Sequence, residues 1–185
     1  AIPAILRMCH DAQPLPILLL QRQQHVTRVV AAAIVHRDDL VVLKIRRQHT
    51  ATVYAEKQEL KELKVSRDLK KEVSVWLGTP YRYGGNSRQG VDCSGFVDAV
   101  YWTVYEIRLP RTAKDIYRVC KPVKINDLRE GDLVFFNYTG KGVSHVGIYL
   151  GAGKYVHAST TKGVVISDLK NEYTRKNFVG CGRIR

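Results

Sequence analysis

From residue 66 onward, apolar and polar positions alternate in a readable order. Leu69, Val73, Trp76 and Leu77 recur three and four residues apart, the spacing of a helix buried on one face. Ser66 stands where such a helix would be capped, Gly78 where it would stop, and Pro80 just beyond. Phe96, Val97, Val100, Tyr101 and Val104 repeat the spacing and predict a second helix, opened by Asp92-Cys93-Ser94-Gly95. Between the two lies a Gly-rich loop, Tyr81 to Val91. After Arg129-Glu130-Gly131-Asp132 the pattern shortens. Leu133–Phe136, Val143–Leu150, Tyr155–Ala158 and Val164–Ser167 read as strands, separated by Gly140, Gly142, Gly151, Gly153 and Gly163. Helices followed by a run of antiparallel strands predict an α+β domain, helices packed on an antiparallel sheet.

Residues 1–65 follow a different pattern. Val26 to Val35, Leu40 to Ile45 and Thr50 to Tyr54 are rich in β-branched residues, and Arg37-Asp38-Asp39 breaks the series. They predict two or three strands, followed by a charged, helix-prone linker from Glu56 to Lys64. The division expected is therefore a small β-rich region of unknown role at 1–65 and a second domain at 66–185. The longest apolar runs, Leu15–Leu20 and Val29–Val35, fall far short of the ~20 residues of a membrane span. Arg7-Met8-Cys9 lacks the small residues that precede a lipid-bearing cysteine, so no lipid anchor is expected on Cys9.

Charge narrows the partners. The net charge is +13, from 30 Lys+Arg against 17 Asp+Glu. Nucleic acid and an anionic wall polymer both suit such a balance. Nucleic-acid binders gather their basic residues on one element. Here the one tight group is Lys44, Arg46 and Arg47, and there is no zinc-finger spacing or RNA-binding aromatic motif. The wall polymer is favoured and nucleic acid is not expected. Cys9, Cys93, Cys120 and Cys181 form no C-x-x-C pair, so no zinc site is expected, and a Cys120–Cys181 disulfide stays open.

Three residues carry candidate chemistry. Cys93 begins a helix, where the macrodipole favours a thiolate, so its pKa is expected below that of a free thiol. Alone it reads as a small buried hydrophobe, as most single cysteines do. His145 sits in Ser144-His145-Val146-Gly147-Ile148-Tyr149-Leu150, with Ser144, Val146, Ile148 and Leu150 on the opposite strand face. His157 follows in the next strand, where antiparallel pairing can make the two histidines neighbours. The set then reads as nucleophile, base and orienter. A metal pair would need a third ligand on the same face and none is visible, so no metal or organic cofactor is expected.

At this point the motifs resemble a known family. They are Gly78-Thr79-Pro80-Tyr81-Arg82-Tyr83-Gly84-Gly85, Gly90-Val91-Asp92-Cys93-Ser94-Gly95-Phe96, Leu109-Pro110-Arg111-Thr112, Gly131-Asp132-Leu133-Val134-Phe135-Phe136, Ser144 to Gly151, and Tyr155-Val156-His157-Ala158. In order and spacing, with 52 residues from Cys93 to His145, they resemble the NlpC family of cell-wall cysteine peptidases. The resemblance implies a papain-like core, with Cys93 as nucleophile, His145 as general base and His157 as its orienter. It implies that Tyr81 lies beside the thiol as an oxyanion or substrate contact, with the Cys93 backbone N–H as the other oxyanion donor. Asp92 and Ser94 flank the nucleophile; they read as substrate contacts, and Asp92 equally as a helix cap. Tyr83 and Arg82 read as loop packing and solvated charge. The implied activity is hydrolysis of peptidoglycan stem peptides near D-glutamate and diaminopimelate, by a monomer of the bacterial envelope (periplasmic or outer-membrane associated) or a secreted one. The rival readings are an amidase or acyltransferase on the same scaffold, and a non-catalytic wall-binding module.

Overall fold

The structure, a computed structural model, describes residues 37–184. The chain divides into two compact units, Ala1–Arg47 and Gln48–Arg185. Helix α1 (Arg37–Glu62) crosses that division. In the first unit its Leu40, Val41, Val42, Leu43 and Ile45 are about half exposed. The strands expected at Leu40–Ile45 and Thr50–Tyr54 are therefore replaced by helix. A short β-branched run does not distinguish the two states by itself. Here it is continuous with Ala55-Glu56-Lys57-Gln58-Glu59-Leu60-Lys61-Glu62, a block of strong helix formers, and a nucleated helix adds one hydrogen bond per residue. Val26–Val35 and Cys9 lie outside the described residues.

The second unit begins before the expected boundary at 65/66. Leu60 is fully enclosed in its core, and Val53, Leu63 and Val65 pack against that core. Helix α2 (Arg67–Trp76) follows as expected, burying Leu69, Val73 and Trp76 at i, i+4 and i+7. Burial of each contributes about 1.5–3 kcal/mol. Gly78 ends this stretch with φ +83, and its N–H bonds Val164 O. A Cβ there would meet Val53 Cγ2 at 2.6 Å, so both the backbone conformation and the space call for glycine.

The loop after Pro80 returns on itself as a two-stranded ribbon, β1 (Asn86–Ser87) and β2 (Gly90–Val91). It delivers the chain into α3 (Cys93–Tyr105). Helix α4 (Ala113–Val119) leads to β3 (Lys121–Val123), then β4 (Leu133–Phe136), β5 (His145–Gly151), β6 (Lys154–Ser159), β7 (Gly163–Asp168), α5 (Glu172–Asn177) and β8 (Phe178–Arg183). These six longer strands form one antiparallel sheet in the order β3-β8-β4-β5-β6-β7. The α+β architecture and four of its strands follow the apolar pattern.

Strands β3 and β8 were not legible. Pro122 marks β3 as an edge, since proline cannot donate to a ladder, and Gly180 and Gly182 interrupt the apolar pattern of β8. One sheet face meets the helices: Val146, Ile148, Leu150, Val156 and Leu133 join Phe96, Val97, Val100, Leu69 and Val73 in one cluster. The other face carries a smaller cluster of Val134, Phe136, Tyr155 and Cys181. Cys120 and Cys181 are free thiols; Cys181 donates to Val123 O at 3.0 Å.

Candidate active site

Asp92 organises the start of α3. Its extended backbone (φ −92, ψ 175) makes it the N-cap, and Oδ1 accepts from the Gly95 N–H at 2.7 Å. The same oxygen accepts from Ser94 Oγ at 3.1 Å and Arg111 Nη1 at 3.0 Å. Oδ2 accepts from the Gly84 N–H at 3.0 Å and Arg111 Nη2 at 2.6 Å. Arg111 Nη1 also donates to Ser94 Oγ at 3.0 Å. Burial alone would raise the Asp92 carboxyl, but the Arg111 guanidinium and the Gly95 N–H hold it below the usual carboxylate range. Asp92 is thus both cap and counter-ion. Arg111 lies in one of the sequence motifs, but its pairing across 19 residues had no local signal.

Cys93 is the first helical residue and is buried. It lines a cavity of about 300 Å³ together with Tyr81, Tyr83, Asp92, Ser94, Arg111 and Ser144. Tyr83 therefore belongs to the cavity wall, 91% exposed, rather than to loop packing. Burial pushes the Cys93 thiol up; backbone N–H groups of Val146, Ser94 and Cys93 itself pull it down, and Asp92 adds to the rise. The outcome is a raised pKa, which corrects the depressed one expected from the helix dipole. The dipole acts through the N–H groups of the first turn, and enclosure of the sulfur outweighs them. Tyr81 is half-buried in the same wall. Burial, then the neighbouring Cys93 and Asp92, raise its phenol above the ordinary value, so the hydroxyl is a proton-bearing donor.

The histidines sit on the sheet. His145 Nε2 and His157 Nδ1 are 2.7 Å apart, and both rings are buried. His157 Nε2 lies 3.0 Å from Ser167 Oγ on β7. Gly147 makes room for this arrangement: a Cβ there would meet Tyr155 Cδ2 and Val156 O at 2.8 Å and His157 Cβ at 3.1 Å. Tyr138 packs against His145 with ring centres 5.3 Å apart and stacks on Tyr173 at 5.4 Å. Tyr155 stacks on His157 at 4.9 Å. Burial pushes both imidazoles below their ordinary value, so both are neutral near pH 7. Cavity and histidines meet in the chain at the start of β5: Ser144 lines the cavity, and His145 is the next residue. No group of three or more His, Cys, Asp or Glu placed to hold a metal occurs among the described residues.

A family model described as NlpC/P60 family matches residues 78–183, more than half of the chain. The chain belongs to the NlpC/P60 family. The probable endopeptidase NlpC of Escherichia coli is 46% identical over 118 residues, covering 63% of this chain and 76% of its own. The murein DD-endopeptidase MepS/murein LD-carboxypeptidase of Escherichia coli is 36% identical over 139 residues, 73% of each chain. Among solved structures, an NLP/P60 family protein similar to lipoprotein from Staphylococcus aureus gives a TM-score of 0.58 at 30% identity, covering 66% of this chain and 44% of that one. The α+β arrangement of helices on an antiparallel sheet is the fold of these NlpC/P60 neighbours.

Within this NlpC/P60 domain, two further groups escaped the sequence reading. Ser167 ends the histidine series, and no spacing rule marks a serine two strands away. Lys114, at the start of α4, lines the cavity and forms no ion pair among the described residues. No helix among the described residues is long and apolar enough to cross a membrane.

Proposed function

We propose that this chain is a cysteine endopeptidase that hydrolyses the peptide stems of bacterial peptidoglycan, with Cys93 as nucleophile, His145 as base and His157 as its orienter. One observation carries the reading: a helix-start thiol lines a cavity together with Ser144, and the next residue in the chain is a buried histidine paired with a second at 2.7 Å. The relatives named as murein endopeptidases supply the substrate class. An envelope or extracellular location follows from that substrate. Residues 66–185 contain every group used.

The resting pair is neutral. As sulfur attacks the peptide carbonyl carbon, the thiol proton passes to His145 Nδ1, the ring nitrogen not engaged by His157. The carbonyl oxygen becomes an oxyanion facing the Cys93 N–H, unsatisfied within its own helix, and the Tyr81 hydroxyl. His145 then returns the proton to the leaving amine, giving a thioester. Water loses a proton to His145, attacks the thioester, and His145 passes that proton to the Cys93 sulfur as the acid leaves. Asp92 and Ser94 hold Arg111 in the wall, leaving the guanidinium edge to the substrate.

Purified peptidoglycan incubated with the protein should release fragments whose masses carry newly formed amine and carboxyl ends within the stem. Release of cleaved glycan without stem cleavage, or no release by the intact protein, would overturn the reading.

A further inference from the structure

We infer that Ser167 is a positioning residue that keeps His157, and through it His145, in the one tautomer able to accept the thiol proton. The inference rests on His145 being the base.

Each neutral imidazole carries one N–H, and the two contacts of 2.7 Å and 3.0 Å leave two self-consistent orders. In the first, His145 Nε2–H donates to His157 Nδ1, and His157 Nε2–H donates to Ser167 Oγ. His145 Nδ1 is then a bare lone pair. In the second, Ser167 O–H donates to His157 Nε2, His157 Nδ1–H donates to His145 Nε2, and the His145 proton sits on Nδ1. The second order blocks the base, because the nitrogen that must take the thiol proton already holds one. The productive order needs an acceptor for the His157 Nε2–H. His157 is buried, and its neighbours Tyr155 and Val165 are packed beside it in β6 and β7. Among the described residues, Ser167 Oγ is its hydrogen-bonded partner at that nitrogen. Half-buried, Ser167 can send its own hydrogen outward while it accepts. Without it, a buried N–H would lose its partner, and the reversed order, with bare Nε2, becomes the less costly one.

When His145 takes the proton, both its nitrogens carry hydrogen, and the cation still donates Nε2–H to His157 Nδ1. The series therefore needs no rearrangement during turnover, provided it starts in the productive order. Ser167 touches neither substrate nor thiol. Its effect belongs in kcat, with KM little changed.

Nitrogen-15 NMR of the histidine rings, on the intact protein near pH 7.5, reads the order directly and independently of activity. The expected wild-type signature is protonated Nε2 on both His145 and His157. Ser167→Ala should move His157 towards the Nδ1–H form and lower kcat roughly five- to tenfold, the effect of one lost hydrogen bond. Ser167→Thr, which keeps the acceptor, should restore both. A wild-type His157 protonated at Nδ1 would overturn the inference outright, whatever the variants do. So would a Ser167→Ala protein with unchanged tautomers, or one no better rescued by threonine. Full activity in Cys93→Ala would instead sink the parent reading.

Discussion

The helix half and the sheet half of the candidate site solve the same problem by opposite means. The helix side is ionic: Asp92 accepts five hydrogen bonds, two of them from the half-exposed Arg111. The sheet side is neutral: His145 and His157 are buried among aromatic rings and linked by a single contact of 2.7 Å. The difference follows from what each element offers. A helix start presents N–H groups and tolerates a carboxylate. A strand interior has already spent its backbone groups on the ladder, so a polar side chain there finds partners only in other side chains. The ionic side therefore holds fixed charge, while under the proposed mechanism the sheet side moves one proton.

The sharpest way to break this comparison is at the thiol. Cys93→Ala should reduce stem hydrolysis by at least roughly 10⁴-fold, with the circular-dichroism spectrum unchanged. Near-normal turnover would leave the helix side without its assigned part. Next comes His157. Its replacement by Ala should cost roughly 100-fold in kcat, and Gln, which can still accept from His145 Nε2–H, should retain about tenfold more than Ala. Equal loss in both would mean that His157 needs its own protonation, and the sheet side would no longer be a passive neutral series.

The ionic side is tested by stability. Arg111→Met leaves the buried Asp92 carboxylate short of two donors and should destabilise by roughly 1–3 kcal/mol. A lowered Tm, partly recovered by Asp92→Asn in the same chain, is the expected pattern. An unchanged Tm would show that the pair does not stabilise the helix start.

The smallest effects are with pH. Burial raises the thiol above its ordinary 9.0, so the rate of Cys93 alkylation should climb with pH past the ordinary thiol range. A plateau reached already near neutrality would mean a thiolate–imidazolium pair instead. On the sheet side, the folded histidines titrate below the unfolded value of 6.5, so the unfolded chain binds more protons in acid. Their contribution is whole above that value and fades as pH falls from 6.5 towards about 4. Asp92, held low in the fold, adds its own loss only at lower pH still, below its ordinary 3.8. Tm measured over this window should fall less steeply in His157→Gln than in wild type.

Sequence alone determined a good deal. Leu69, Val73 and Trp76 marked α2, the helix cysteine and both strand histidines stood out by type and place, and β4 to β7 followed from short apolar runs between glycines. These are local signals: periodicity, caps and turn residues act within a few positions, and the chain displays them directly. Tertiary structure alone decided the rest. It made a helix of Leu40–Ile45 and Thr50–Tyr54, because continuation of a downstream helix outweighs the β preference of a short run. It carried Leu60 into the core, ahead of the expected boundary. It brought Arg111 to Asp92 and Ser167 to His157, pairs set by loop path and strand register rather than spacing. It also raised the thiol that the helix dipole was expected to lower. Enclosure is a property of everything packed around an atom, and no stretch of sequence near Cys93 contains it.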